Sequence, residues 1–161
     1  MIKNVCFSDA EDICKIYNHY IKNTVITFEE NEVSPKEMES RIFSITAKLP
    51  WIVFSENGKM YGYAYASEWK SRCAYKYSVE TTVYLHPDAR GKGIGTMLYQ
   101  ELIRKLLKLD LHAAIGGIAL PNDASVALHE KIGFGKVAHF KEVGYKFNKW
   151  IDVGYWELIL K

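Results

Sequence analysis

The sequence has no long apolar run, no large excess of either charge, and no internal repeat or low-complexity tract. No apolar stretch approaches the ~20 residues that span a bilayer, so we expect no membrane segment. The net charge of +2 lacks the strongly basic character of nucleic-acid-binding domains, and no nucleic-acid partner is expected. The opening residues, MIKNVCFSDAEDI, have no signal-peptide core or cleavage site, which predicts a cytoplasmic protein.

Cysteine is scarce and scattered. Cys6, Cys14 and Cys73 form no Cys-x-x-Cys pair and no cluster with histidine. Because a zinc site needs several such ligands at close spacing, no metal is expected. An odd number of cysteines without an export signal predicts free thiols.

The rest of the composition is that of one folded domain. With 161 residues, 48% of them apolar and 25% charged, residues 1–161 suffice for a single domain with a buried core. The apolar patterns predict elements in the order β-α-α-β-β-β-α-β-α-β-β. Strands interleaved with helices indicate the α/β (α+β) class, a mixed sheet with helices on both faces.

Local signals mark where several elements begin and end. Ser8, with Glu11 three residues later, has the capping-box pattern for a helix over residues 8–22. Pro35, directly after Ser34, predicts the first turn of a second helix.

Further boundaries carry asparagine and glycine. Asn57-Gly58 joins two β-rich runs and predicts a tight hairpin. Gly133 follows the helix predicted after Asn122 and is expected to end it.

The stretch HPDARGKGIG, residues 86–95, lies between a predicted strand and a predicted helix. Its glycines let the backbone approach an anion closely, and the first N–H groups of the helix lack internal partners. Arg90 and Lys92 add positive charge to the helix dipole. The stretch therefore predicts an anion site, with a plain turn and helix cap as the alternative.

The spacing of this loop excludes two familiar nucleotide sites. A P-loop needs Gly-Lys followed by Ser or Thr, whereas Gly93 follows Lys92 here. A dinucleotide fingerprint needs G-x-G-x-x-G in a first βαβ unit, whereas this G-x-G-x-G lies in the middle of the chain.

The surroundings of the loop resemble the GNAT superfamily of acetyl-CoA-dependent N-acetyltransferases. VYLHPDARGKGIGTMLYQELI is similar to the signature strand, pyrophosphate loop and helix, and LPNDASVALHEKIGF to the second signature segment. The resemblance implies the GNAT fold, with a mostly antiparallel twisted sheet, and acetyl-CoA as the acetyl donor. The donor-binding residues that it implies are Val83, Tyr84, Leu85, Arg90, Gly91, Lys92, Gly93, Ile94, Gly95, Thr96, Asn122 and Ser125.

Three further segments resemble the phosphinothricin N-acetyltransferases, a family that includes methionine sulfoximine and methionine sulfone acetyltransferases. They are IYNHYI, WKSRCAYKYSVETTVY and GYKFNKWIDVGYW, and the resemblance extends over nearly the whole chain. It implies acetyl transfer to the α-amine of a small amino-acid analogue. It also implies a homodimer, although the aromatic residues of the C-terminal strands fit either an interface or a core.

The proposed chemistry needs a base, because an amine attacks a thioester only when neutral. Glu80 lies on the strand before the loop, shares a face with Thr82 and Tyr84, and matches the family's proposed base. Burial is expected to raise its pKa, whereas an exposed Glu80 paired with Lys76 is the alternative. His129, where many superfamily members have Tyr, is expected to protonate the thiolate or act as a second base. A hydrogen-bonded core histidine is the alternative.

The segment WKSRCAY carries a group suited to the acceptor side chain. Lys70 and Arg72 are two residues apart, so an extended loop would point them the same way. Together with Tyr75 they suit the phosphinate, sulfoximine or sulfone that the resemblance implies, with a solvated basic loop as the alternative. Phe28 and Thr82 complete the expected acceptor site.

One position departs from the family pattern. Phosphinothricin enzymes carry Phe-Arg where this chain has Phe28-Glu29. A Glu29 that faces the pocket would weaken binding of a doubly anionic acceptor, whereas one that faces outward would not.

The leading interpretation is direct acetyl transfer in a ternary complex. Cys73 as an acyl-carrying nucleophile is an alternative without a histidine close in sequence. Two other functions stay open. Acetylation of a protein N-terminus or lysine needs an open groove, and a non-catalytic CoA-binding sensor predicts a degraded acceptor site.

Overall fold

The computed structural model describes residues 1–161, built around a seven-stranded sheet in the order β1-β2-β3-β4-β5-β7-β6. The strands are β1 (Ile2–Asn4), β2 (Trp51–Glu56), β3 (Lys59–Glu68), β4 (Ser78–Leu85), β5 (Ala113–Leu120), β6 (Gly135–Lys146) and β7 (Lys149–Ile159). The helices are α1 (Ala10–Asn23), α2 (Pro35–Thr46), α3 (Ile94–Leu106) and α4 (Asp123–Ile132). The element order and the mostly antiparallel sheet confirm the predicted architecture. None of the helices has the length and apolar character needed to cross a membrane.

Helices α3 and α4 cover one face of the sheet. In α3, Ile94, Leu98, Leu102 and Leu106 recur every four residues and are all buried against the strands. Burial of one such side chain contributes roughly 1.5–3 kcal/mol, so this stripe fixes how α3 packs on the sheet. The packing brings the N-terminus of α3 to the end of β4.

Helices α1 and α2 cover the other face. Ile13, Ile16 and Tyr17 of α1 pack with Val53 and Tyr63 of the central strands. The chain between α1 and α2, residues 24–34, carries Phe28, and its Ile26 lines the same cavity as Arg90 and Gly91 of the glycine loop.

Several predicted boundaries are confirmed by their hydrogen bonds. Ser34 Oγ accepts from the Glu37 N–H at the start of α2, and Asn122 Oδ1 accepts from the Ser125 N–H at the start of α4. Gly133 ends α4 at a φ of 108°.

The predicted Ser8–Glu11 capping box is wrong. A single 3₁₀ turn, Phe7–Asp9, precedes α1, which begins at Ala10. The carboxylate of Asp9 accepts from the Cys6 N–H at 2.9 Å, and it is also paired with Lys3. A charged carboxylate is a stronger acceptor than a hydroxyl, so Asp9 takes the role expected of Ser8.

One junction in the sheet is parallel, and it is short. Strand β4 pairs with β5 at three positions, from Ser78–Ala113 to Glu80–Ile115. Beyond Glu80 the two strands separate, although they continue to Leu85 and Leu120. Residues 81–85 of β4 are therefore paired with β3 on one side and with no strand on the other. The result is a wedge-shaped opening in the sheet, with Glu80 at its apex.

Candidate active site

Two adjoining cavities occupy the wedge between β4 and β5. The wedge cavity, of about 440 Å³, is lined by residues that include Glu80, Thr82, Gly117, His129, Tyr155 and Phe28. The loop cavity, of about 520 Å³, is lined by Leu85, Arg90 and Gly91 at the glycine loop and by Asp123 and Leu128 of α4. Both cavities share Ile26, Val83, Tyr84, Asn122 and Ser125 in their walls. Together they form a channel from the glycine loop to Glu80, of the size typical of small-molecule sites.

The glycine loop presents unpaired donors at the N-terminus of α3. The first hydrogen bond of the helix is made by Met97 N–H to Gly93 O, at 3.1 Å. The N–H groups of Ile94, Gly95 and Thr96 have no acceptor in the protein. Gly93 itself adopts a φ of +74°, a conformation that a residue with a Cβ rarely takes. This geometry suits an anion at the helix N-terminus.

The two basic side chains of the loop differ in direction. Arg90 lines the loop cavity. Lys92 lines neither cavity of the channel, and its ammonium instead lies 5.1 Å from the centre of the Tyr61 ring. Arg90 is thus the better placed of the two to contact a ligand in the channel.

Glu80 is a half-buried carboxylate without a protein partner. No ion pair and no hydrogen bond to a protein donor satisfies it, and Lys76 packs over Tyr77 rather than against it. Burial raises the pKa of Glu80, and the more distant charge of Lys70 partly offsets this. An unpaired carboxylate with a raised pKa that faces a cavity has the properties of a general base.

His129 is buried and held at both ring nitrogens. Its Nδ1 lies 2.7 Å from the carbonyl of Ser125, and its Nε2 lies 2.9 Å from the hydroxyl of Tyr99. Because a carbonyl only accepts, the proton must be on Nδ1 and Tyr99 must donate to Nε2. Tyr99 in turn contacts Thr81 at 2.5 Å. Burial lowers the pKa of His129, so the neutral form is favoured.

Two glycines of β5 make room for these groups. A Cβ on Gly116 would overlap the imidazole of His129, and a Cβ on Gly117 would lie 3.1 Å from the Tyr155 ring. Tyr99, Gly116, Gly117 and Tyr155 were not predicted as site residues. The adjacent glycines inside the apolar run HAAIGGIAL were the available signal, since glycine in a buried strand often marks a close approach.

The expected acceptor residues divide between two cavities. Phe28 and Thr82 line the wedge cavity with Glu80. Lys70, Arg72 and Tyr75 line a separate cavity of about 500 Å³. The loop that carries them bends at residues 71 and 72 and continues into a 3₁₀ turn at Cys73–Tyr75. Trp69, next to Lys70, connects this loop to the wedge cavity: its ring packs edge-to-face on Tyr155, with 5.4 Å between the ring centres.

Glu29 points away from the wedge cavity. Arg41 binds both of its carboxylate oxygens, at 2.9 and 2.7 Å, and the hydroxyl of Tyr17 donates a short hydrogen bond to it. Arg41 holds the pKa of Glu29 below its usual range. The negative charge at this position is therefore compensated within the protein.

Comparison with known proteins identifies the family. Residues 2–154 match the model of the acetyltransferase (GNAT) domain. The chain is 40% identical to a phosphinothricin N-acetyltransferase of Streptomyces coelicolor, over 92% of this chain and 90% of that protein. It is 34% identical to an L-methionine sulfoximine/L-methionine sulfone acetyltransferase of Salmonella typhimurium, over 95% and 90% of the two chains.

A solved structure matches the whole fold. It is an acetyltransferase of Salmonella typhimurium with its cofactor acetyl-CoA, and it has a TM-score of 0.98 and 32% identity over 100% of this chain and 94% of that one. The chain therefore belongs to the GNAT acetyltransferases, in the group of the phosphinothricin and methionine sulfoximine N-acetyltransferases, and is an acetyl-CoA-dependent N-acetyltransferase.

Proposed function

We propose that this enzyme transfers acetyl from acetyl-CoA to the α-amine of a small L-amino-acid analogue of the phosphinothricin, methionine sulfoximine or methionine sulfone type. The observation that carries the proposal is the position of Glu80. Its unpaired carboxylate stands at the apex of the wedge, where the channel from the glycine loop meets the wedge cavity.

The residues of the channel fit acetyl-CoA as the donor. The unpaired N–H groups of Ile94, Gly95 and Thr96, with Arg90 beside them, suit the pyrophosphate. The unpaired edge of β4 at residues 81–85 suits the amide groups of the pantetheine arm, because each unpaired backbone group needs a partner. Acetyl-CoA supplies an acetyl group activated as a thioester.

Glu80 is assigned as the general base. Its raised pKa makes it a stronger proton acceptor than an exposed glutamate. It takes the proton of the α-ammonium group, directly or through one water, and leaves the amine free to attack.

His129 is assigned to the departing thiolate. Its single ring proton, on Nδ1, points at Ser125, which lines both cavities. The hydroxyl of Tyr99 fixes this tautomer by donating to Nε2. The attacking amine loses its second proton as the tetrahedral intermediate collapses, and His129 would relay that proton to the departing thiolate and so return to its neutral form.

The wedge cavity suits a small acceptor rather than a peptide. Phe28, Val143, Val153 and Tyr155 wall a space of about 440 Å³. Because Glu29 is paired with Arg41, its charge does not oppose an anionic acceptor. Lys70 and Arg72 line the neighbouring cavity, from which the charge of Lys70 acts on the Glu80 carboxylate.

Direct transfer is favoured over an acyl-enzyme. No cysteine lines the wedge cavity, and Cys73 belongs to the separate cavity around Lys70 and Arg72. The amine therefore attacks the thioester without a covalent enzyme intermediate.

We also propose that the enzyme is a homodimer. The aromatic residues of the β6–β7 hairpin divide into two groups, because Trp156 is buried whereas Tyr145, Phe147 and Trp150 are each more than half exposed. A cluster of exposed aromatic side chains on one hairpin supports an interface. Light scattering of the purified protein is expected to give twice the mass of one chain, and a monomeric mass would contradict the proposal.

The decisive experiment is a panel of acceptors assayed with acetyl-CoA. It contains phosphinothricin, methionine sulfoximine, methionine sulfone, the standard amino acids and a peptide with a free N-terminus. We expect turnover of at least one amino-acid analogue whose side chain carries a tetrahedral phosphorus or sulfur group, and no turnover of the peptide. Turnover of the peptide alone would favour a protein acetyltransferase, and binding of acetyl-CoA without any turnover would favour a sensor.

A further inference from the structure

A buried lysine connects the C-terminal hairpin to the chain between α1 and α2. Lys146, at the end of β6, is 2% exposed, and its ammonium donates to the carbonyl of Thr27 at 2.8 Å. The two residues are 119 positions apart in the sequence. Thr27 lines the wedge cavity but Lys146 does not, and the mechanism proposed above does not use their contact.

This lysine has no acidic partner within ion-pair distance. Its other close neighbour is the ring of Phe147, whose centre lies 5.1 Å from the ammonium. Burial lowers the pKa of Lys146. An apolar residue of the same length would avoid the cost of burying a charge, but it would leave the Thr27 carbonyl without a donor. The distinctive property of Lys146 is therefore its hydrogen bond to this carbonyl.

The carbonyl it holds belongs to the residue before Phe28. Thr27 is also bound through its hydroxyl to Tyr17, at 2.8 Å. On the other side of Phe28, Glu29 is held by a bidentate ion pair with Arg41. Phe28 thus stands between two anchored neighbours while its own ring faces the wedge cavity.

The hairpin of Lys146 also contacts Phe28 directly. The ring of Phe28 lies so close over Gly144 that a Cβ on that glycine would overlap it. Val143, the residue before Gly144 in β6, lines the wedge cavity with Phe28. A bulge between Phe140 and Gly144 brings Val143 to this position. One wall of the cavity is therefore built where the hairpin meets residues 27–29.

We propose that Lys146 is a positioning residue for the acceptor: by holding Thr27 to β6 it fixes the Phe28–Val143 wall against which the acceptor side chain packs. Lys146 acts through Phe28 and touches neither acceptor nor donor. The inference rests on the proposed function, because it concerns the acceptor side of the same cavity.

The first test is structural and needs no acceptor. Lys146→Met keeps the length of the side chain and removes the donor. In hydrogen exchange measured by mass spectrometry, we expect residues 26–30 to exchange about tenfold faster in Lys146→Met than in the wild type. The matched control is Lys149→Met, which changes the exposed lysine directly opposite Lys146 in the register and is expected to leave this segment unchanged. Unchanged exchange in a folded Lys146→Met would overturn the proposal, whether or not the acceptor has been identified.

The second test is kinetic and uses whichever acceptor the wild type acetylates. We expect Lys146→Met to raise the acceptor KM about tenfold, with at most a twofold change in kcat and in the acetyl-CoA KM. Lys146→Arg, which retains a donor, should recover most of the loss. In a Phe28→Ala background, Lys146→Met should change the acceptor KM by less than twofold. An equal rise in the acceptor KM and the acetyl-CoA KM would contradict the positioning role. So would a tenfold rise in the acceptor KM on adding Lys146→Met to the Phe28→Ala variant.

A third variant decides the matter if Lys146→Met does not fold. Gly144→Ala displaces Phe28 from the hairpin side and leaves Lys146 unchanged. It is expected to raise the acceptor KM selectively, whereas Gly135→Ala on the same strand meets no atom within 4 Å and should not. No selective rise in Gly144→Ala would show that the wall does not govern acceptor binding.

Discussion

The Oε1 atom of Glu80 lies 3.6 Å from the position that a Cβ on Gly117 would occupy. The two residues stand on neighbouring strands just where those strands begin to separate. A side chain at position 117 would crowd the carboxylate and the nearby ring of Tyr155. The absence of a side chain there leaves the space in which an amine can reach the proposed base.

The role of Glu80 predicts a defined pH profile. Glu80→Gln is expected to lower kcat/KM by about 10²–10⁴-fold, the usual contribution of a general base. Wild-type kcat/KM should fall as the pH drops through the raised pKa of Glu80, because protonation abolishes the base. Steady-state rates across a pH series test this, with Glu56→Gln at the exposed end of β2 as control. If kcat/KM of Glu80→Gln fell at low pH in the same way as that of the wild type, the assignment of Glu80 would be contradicted.

The same substitution is expected to stabilise the fold. The pKa of Glu80 is higher in the folded than in the unfolded protein, so the folded state favours the protonated form. Stability from this group is therefore present at low pH and lost as the pH rises through the folded pKa. Glu80→Gln should raise Tm at neutral pH by roughly 1–3 °C, and the gain should vanish in acid. Thermal unfolding of both proteins at matched pH values measures the difference, and a lower Tm at neutral pH would refute it.

Gly116 provides a test of the His129 position. Gly116→Ala would force the imidazole away from its contacts with Tyr99 and Ser125, at a cost of about 1–3 kcal/mol. We expect kcat to fall at least tenfold because the histidine proton is displaced. Gly135→Ala, which adds a Cβ in open space, is the control for a glycine change within a strand. A destabilised Gly116→Ala with normal kcat would remove His129 from the mechanism.

Gly93 provides a test of the anion site. Gly93→Ala and Gly58→Ala both introduce a Cβ at φ near +75° with no neighbouring atom, so both should lose roughly 1–2 kcal/mol of stability. Only Gly93 lies beside the unpaired N–H groups of α3, so only Gly93→Ala should raise the acetyl-CoA KM, by about tenfold. Calorimetric titration with coenzyme A gives the same comparison without catalysis. Equal affinities in the two variants would mean that the loop backbone does not hold the donor.

Local signals predicted the fold well because their causes are local. The Asn57-Gly58 turn, the start of α2 at Pro35 and the end of α4 at Gly133 each depend on neighbours within one turn. The Ser8 cap failed for an equally local reason, because Asp9 is a stronger acceptor one residue later.

The site was predicted less completely, because its geometry is non-local. The resemblance supplied Glu80, Phe28 and the glycine loop, and all of these line the channel or border it. It did not reveal that Lys70 and Arg72 line a different cavity, because that cavity is formed with residues distant in sequence, such as Leu49 and Leu111. The contact between Lys146 and Thr27 leaves no pattern in the sequence, because it depends on how two distant segments dock.

The short parallel junction between β4 and β5 also has a consequence for cooperativity. Three residue pairs join a four-stranded half of the sheet, β1 to β4, to a three-stranded half, β5 to β7. A donor bound along the open edge of β4 would bridge these halves. It would supply hydrogen-bond partners for the backbone groups of residues 81–85 that no strand pairs with on that side. Binding of the donor would then extend the hydrogen-bonded sheet across the opening between β4 and β5. The free energy of unfolding should therefore rise with the fraction of the protein that holds donor.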